Sequence, residues 1–155
     1  MLQLSLRLLI IIITLLAILP AASGDNGNPS GRSKPPQQVI INGKTIHVEI
    51  ADRPDMQARG LSDRPFLPQD YGMLFIFPDK QIRTFWMLRM HFPLDIIWLD
   101  DHRIIKIDKN LPPEGDMPKK HYSSDRPVNY VLEVNAGLAG KNKIRRGDKV
   151  IFKFR

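Results

Sequence analysis

Val39-Ile40-Ile41-Asn42-Gly43-Lys44, continued by Thr45-Ile46-His47-Val48-Glu49-Ile50, is the stretch that decides the fold class. Asn-Gly between two apolar runs signals a hairpin, because both residues accept the positive φ that a type I′ turn demands. Beyond the turn, Ile46, Val48 and Ile50 alternate with Thr45, His47 and Glu49, the period-two pattern of a half-buried strand. The same pattern recurs along the chain. Met73 to Phe77, Thr84 to Leu88, Leu94 to Leu99, Ile104 to Ile107, Val128 to Asn135 and Lys149 to Phe154 all read as strands. Pro78-Asp79, Asp100-Asp101 and Gly147-Asp148 supply turn chemistry between them. One interruption reads as a short helix, with Asp52 placed to cap it, Pro54 in its first turn and Gly60 ending it. Arg59 falls in its last turn, where a cation suits the helix dipole. Short strands at this spacing predict a mainly β fold: a compact β-sandwich or barrel-like single domain with one or two short helices.

Composition agrees. A length of 155 residues argues for one domain, and 43% hydrophobic with 25% charged residues is ordinary globular usage. The 13 prolines weigh against a helical bundle. Lys plus Arg outnumber Asp plus Glu by 23 to 16, a formal charge of +7. The absence of cysteine excludes disulfides, thiolate metal sites, a Cys nucleophile and a lipidated N-terminal Cys.

The N-terminus reads as an address. Arg7 is the only charge before Asp25, and Leu8 to Leu19 is apolar except for Thr14. As a helix those residues reach only ~18 Å, short of the ~30 Å hydrocarbon core. A positive flank, a short apolar run and Ala21-Ala22-Ser23 fit a secretory signal peptide over 1–23, cleaved after Ser23. The alternative is an uncleaved anchor lengthened by Leu2, Leu4 and Leu6. Residues 24–38 are Gly, Asn, Ser, Pro and basic residues without an apolar pattern, which reads as a disordered linker. The folded domain is expected over 39–155. The protein is therefore expected to be exported, periplasmic or extracellular, with no stable membrane span after cleavage.

Five blocks in order carry a family resemblance. They are Arg59-Gly60-Leu61; Gly72-Met73-Leu74-Phe75 with Phe77; Phe85-Trp86-Met87; Pro93-Leu94-Asp95-Ile96-Ile97; and Tyr130 to Gly137 followed by Gly147-Asp148-Lys149-Val150. Together they resemble the bacterial and archaeal domain of unknown function family 192, from about Val39 to Phe154. The resemblance implies an exported, compact β-rich domain and no particular reaction. After Phe-Trp-Met the family usually carries a basic residue, Asn and Thr. Here Leu88, Arg89 and Met90 stand instead, followed by His91, so no role is carried onto that triplet.

Candidate chemistry rests on two carboxylates in apolar strands. Asp95 shares a strand face with Ile97 and Leu99, and Glu133 lies opposite Tyr130, Leu132 and Val134, beside Val131 and Asn135. A carboxylate so placed is either paired with a cation or raised in pKa. As a pair, Asp95 and Glu133 could do acid/base work or hold a sugar hydroxyl, with Asn135 as a further donor and acceptor. The structural alternative is an ion pair with Arg59 or Arg64, or a carboxylate capping backbone amides. Trp86, opposite Phe85 and Met87, is either a binding platform or core. His47, His91, His102 and His121 show no metal-ligand spacing, so no metal and no cofactor are expected. Asn110 to Pro127 reads as a long Pro-rich loop, and His121 with Ser123, Ser124 and Asp125 on it lacks a nucleophile elbow. Lys141, Lys143, Arg145, Arg146, Lys149, Lys153 and Arg155 read as a solvated face or an anionic-surface contact, without a nucleic-acid motif.

The reading that emerges is an exported monomer that binds an envelope component such as a glycan, through Arg59, Trp86, Asp95, Glu133 and Asn135. An enzyme using Asp95 and Glu133 as an acid/base pair is the first alternative. An interaction module that presents its basic C-terminal turn is the second. The partner is otherwise an unknown envelope ligand or protein, and no nucleic acid is expected.

Overall fold

The computed structural model describes residues 37–154; the expected signal peptide and all but the end of the expected linker lie outside them. The chain runs β1 (Gln38–Ile41), β2 (Lys44–Ala51), α1 (Pro54–Arg59), β3 (Tyr71–Gln81), β4 (Thr84–Phe85) and β5 (Leu94–Asp100). It continues through β6 (Arg103–Leu111), β7 (Tyr122–Ser123), β8 (Val128–Asn135), α2 (Leu138–Lys141) and β9 (Val150–Lys153). Asn42 at φ 50° and Gly43 at φ 78° make the type I′ turn expected of them, pairing Ile41 with Lys44. The linker ends earlier than expected: Gln38 is already in β1, and the Gln37 amide donates to Lys153 O.

Seven strands form one sheet in the order β6-β5-β8-β3-β2-β1-β9, antiparallel except for the β2–β3 pair. The sheet curls until its two edges touch, where Arg103 at the start of β6 bridges to Lys149 just before β9. The barrel-like form of the expectation is the one adopted. Curling gives the strands two buried faces. All seven contribute to the inner cluster, which includes Ile41, Ile46, Leu74, Ile97, Ile104, Leu132 and Val150, and α2 adds Leu138 and Ala139. A second cluster lies on the outer face of β3, β5 and β8, where Met73, Phe75, Ile96, Trp98 and Val131 pack under Leu61, Leu67, Met87 and Met90 from the loops. Covering both faces explains why Leu94 to Leu99 reads as an unbroken apolar run in which Asp95 is the exception. Trp98 is fully buried, a gain of about 2–3 kcal/mol for a ring of this kind, and its indole N–H donates to Asp108 Oδ2 at 2.7 Å.

Several local readings need correction. The residue before α1 is Arg53, with no side-chain cap; Asp52 lies one position too early. Pro78-Asp79 does not end β3. The ladder between β3 and β8 skips from Ile76 to Gln81, so Pro78, lacking an N–H, sits where pairing is already interrupted. The strand expected over Thr84 to Leu88 stops at Phe85, and the chain turns at Arg89 with φ 49°. The long loop is not featureless: Tyr122 and Ser123 return to pair with Phe85 and Thr84.

Candidate functional site

In β8 the outward residues are Val131 and Glu133, and the cross-strand neighbours of Glu133 are Met73 on β3 and Ile96 on β5. The acid thus lies between two apolar residues on a covered face. Across that face lies α1, anchored by the Gln57 amide, which donates to Ala51 O and Ile76 O. The helix ends at Gly60 with φ 52° and ψ −133°, a conformation open essentially to glycine alone. A Cβ at Gly60 would lie 3.4 Å from the Phe75 ring and 3.9 Å from Glu133 Oε2, so the glycine backbone packs close over the carboxyl. The chain after α1 is stitched to the loop that carries Trp86. Ser62 Oγ donates to Leu88 O at 2.8 Å, the Asp63 amide donates to Arg89 O at 2.9 Å, and Asp63 pairs with Arg89 at 3.0 Å.

These ties enclose a cavity of about 210 Å³. Glu133 lies at its floor, Phe75, Phe85 and Trp86 with Met90 line its walls, and the exposed Arg59 stands at its edge. Phe85 meets Phe75 edge to face at 4.8 Å and Trp98 at 5.4 Å, which fixes the inner wall. Trp86 is 50% exposed, with its ring 5.7 Å from that of His121 on the long loop.

The electrostatics are unusual for a structural acid. Glu133 is 5% exposed, and its Oε2 has no hydrogen-bond partner. Burial pushes its carboxyl up to about 8, against the opposing pull of the Arg64 cation. Arg64 does not reach it, because Glu49 on β2 holds the guanidinium in two hydrogen bonds of 2.5 and 2.7 Å. That contact lowers the Glu49 carboxyl and raises Arg64. At neutral pH, Glu133 is a neutral acid with both a donor and an acceptor to offer.

Three of the five expected site residues, Arg59, Trp86 and Glu133, line this one cavity. Asp95 does not. Register pairs Asp95 with Val134 and Ile96 with Glu133, so the two carboxylates point to opposite faces of the sheet. The acid/base pair is therefore corrected: no substrate atom can lie between them. Asp95 is fully buried and caps backbone amides instead. Its Oδ1 accepts from the Asn110 amide at 2.8 Å, and its Oδ2 from the Ala139 amide at 2.9 Å. Between Leu94↔Leu111 and Ile96↔Asp108 the β6 strand carries one extra residue, and Asn110 there has φ 54°. Asp95 satisfies the amide that this bulge frees, along with an amide of the first turn of α2. Asn135 lies elsewhere too; its Nδ2 donates to Leu67 O and Pro68 O beside a separate hollow lined by Lys44, Asp70 and Lys141.

Phe75, Phe85, Met90 and Ser62 are site residues that the sequence reading did not single out. Alternation set Phe85 opposite Trp86, but β4 ends at Phe85 and both rings line the one cavity. Leu88, Arg89 and Met90, where the chain departs from the family pattern, prove to be the segment that closes the cavity against Ser62 and Asp63. Among the described residues, no group of three or more His, Asp or Glu converges as metal ligands. No helix among them is long and apolar enough to cross a membrane. Lys141, Lys143, Arg145, Arg146, Lys149 and Lys153 are exposed, and none forms an ion pair with a described residue.

Comparison with known proteins places the chain among relatives. The family model DUF192, described as "Uncharacterized ACR, COG1430", matches residues 37–152. A crystal structure from Novosphingobium aromaticivorans, described as a protein of unknown function, is 34% identical with a TM-score of 0.68, covering 74% of this chain and 84% of that one. A crystal structure from Sinorhizobium meliloti, described as a "putative transcription regulator", is 32% identical with a TM-score of 0.67, covering 74% of this chain and 90% of that one. No curated protein matches the chain.

Proposed function

The chain belongs to the DUF192 family, and from that premise we propose that it is an exported binding domain whose pocket over Glu133 holds a small polar envelope component, a sugar in the first instance. One observation carries the reading: a buried carboxyl with one unpartnered oxygen belongs to the lining of the same small cavity as a half-exposed tryptophan. Leaving such an oxygen unsatisfied costs about 1–3 kcal/mol, a cost that a ligand hydroxyl or amine removes on binding. A sugar brings those groups together with an apolar ring face for Trp86 to cover. At about 210 Å³ the cavity is smaller than the pockets of drug-sized ligands and accepts a single ring. Reading the chain as a DNA-binding regulator would rest on the description of one solved relative. The two helices among the described residues, six and four residues long, offer no recognition helix for a major groove.

A thermal-shift screen against envelope monosaccharides tests the proposal. A ligand at one hundred times its dissociation constant adds about 2.7 kcal/mol and should raise Tm by several degrees. Trp86→Ala should remove the shift while leaving the Tm of the free protein nearly unchanged, because the ring is half in solvent. A shift that survives Trp86→Ala overturns the pocket. A shift seen only with polyanions, and erased by salt, moves the reading to the exposed bases from Lys141 to Lys153. Export has its own expected result: protein recovered from periplasm or medium begins at Gly24, whereas an N-terminus at Met1 in the membrane fraction marks an anchor.

A further inference from the structure

The Glu133 cavity carries more than a site; it carries the chemistry of one end of its ligand. Resting on the binding reading above, we propose that the occupant presents a protonated amine, seated on the Glu133 carboxyl and flanked by the Phe75, Phe85 and Trp86 rings.

Three observations lead there. First, the polar group at the floor is an acid, 5% exposed, with Oε2 unpartnered, and the strongest compensation for a buried carboxylate is a hydrogen-bonded cation. Second, the cations packed nearby are committed or solvated. Arg64 is held by Glu49, Arg89 is held by Asp63, and Arg59 stands exposed at the edge, where water screens it. No cation among the described residues pairs with the Glu133 carboxyl, so its ionised form would find a partner only in a ligand. Third, apart from Arg59 at the edge, the walls are the aromatic rings and Met90 with the neutral Gln57, Ser62 and Thr84, and no second acid among the described residues. Ring faces attract an ammonium by their quadrupole and give nothing comparable to an anion, which would also meet the acid below. Gly60, without a side chain, packs close over Oε2 and keeps that oxygen from solvent, while the carboxyl as a whole belongs to the cavity lining.

Binding then has a proton signature. Burial holds Glu133 protonated at neutral pH, and the charged or titratable groups about it are Arg64 with Glu49, Arg59 in the cavity lining, and His121 beside Trp86. An ammonium stabilises the carboxylate, so the carboxyl gives up its proton to solvent as the amine binds. Near pH 6.5 the release should approach about one proton per molecule bound.

Glucosamine, glucose and glucuronic acid share one ring and differ in carrying an ammonium, only hydroxyls, or a carboxylate. Calorimetry of the full mature protein with each, in two buffers of different ionisation enthalpy, reads affinity and proton release together. Glucosamine is expected to bind at least about ten-fold more tightly than the other two, with proton release. Glu133→Gln, which keeps the shape of the neutral acid, should remove both the preference and the release. Trp86→Ala, on a half-exposed ring, should weaken glucosamine while the protein stays folded. Glucose binding as tightly as glucosamine, with loss in both variants, overturns the amine and leaves the binding reading standing. Tightest binding of glucuronic acid overturns the amine as well. No binding of any of the three overturns the amine, together with the single-ring reading of the pocket.

Discussion

Between pH 5 and pH 8 the protein is expected to lose stability, and Glu133→Gln is expected to abolish most of that loss. The folded carboxyl lies at about 8 against an ordinary value of 4.5, so between those limits the folded state holds a proton that the unfolded state has released. A group raised by folding contributes its stability below the unfolded value and loses it as pH climbs through the folded one. At 1.36 kcal/mol per unit, the shift sets a ceiling of about 5 kcal/mol on the change, a large part of the stability of a small domain. The other resolved carboxylates run the opposite way. Glu49, Asp70 and Asp101 are lowered by Arg64, Lys44 and Lys80, so their contributions fade only in acid, below the window in question. Urea midpoints of wild type and Glu133→Gln at pH 5 and pH 8 isolate the term. Parallel profiles would mean that the carboxyl has a partner or water that removes its desolvation.

Asp95→Ala is expected to cost about 3–5 kcal/mol, enough to unfold many domains of this size. The substitution removes a fully buried acceptor and orphans the Asn110 and Ala139 amides, freeing the β6 bulge and the first turn of α2 together. Asp95→Asn keeps one acceptor and turns an amide nitrogen toward the other N–H, so a loss of about 2 kcal/mol is expected. Because Asp95 faces away from the Glu133 cavity, Asp95→Asn should leave both the ligand shift and the pH profile as they are. A stable Asp95→Asn protein that no longer binds ligand would place this carboxylate in the site after all.

Much of this could be read along the chain, and the limit falls at a definite point. Asn42-Gly43 announced its hairpin because two positive φ values are demanded by the turn itself. Val128 to Asn135 was placed with its exact bounds, because period-two alternation inside a strand is local. For the same reason, Glu133 opposite Leu132 and Asp95 beside Ile97 were both legible, whereas the strand alternation read through Trp86 and Met87 ends at Phe85. Whether Asp95 and Glu133 meet was not, since parity within each strand is silent about register between strands. One residue of register separates a shared face from opposite faces, and here it places Asp95 on the inside. The β6 bulge that Asp95 satisfies was equally hidden, because an extra residue exists only relative to a partner strand.

Taken alone, the sequence determined the mainly β class, most of the strands, the two buried acids and the aromatic neighbour of the pocket. These follow from local sterics and from an alternation that any half-buried strand must obey. Tertiary structure alone decided that the sheet curls until Arg103 meets Lys149, that Asp95 is a latch and that Glu133 is a floor. It also decided that Gly60, Ser62 and the Leu88 to Met90 turn close over that floor. Such facts depend on contacts between segments far apart in the chain, and whether an acid is paired or left alone is settled by what the fold brings to it.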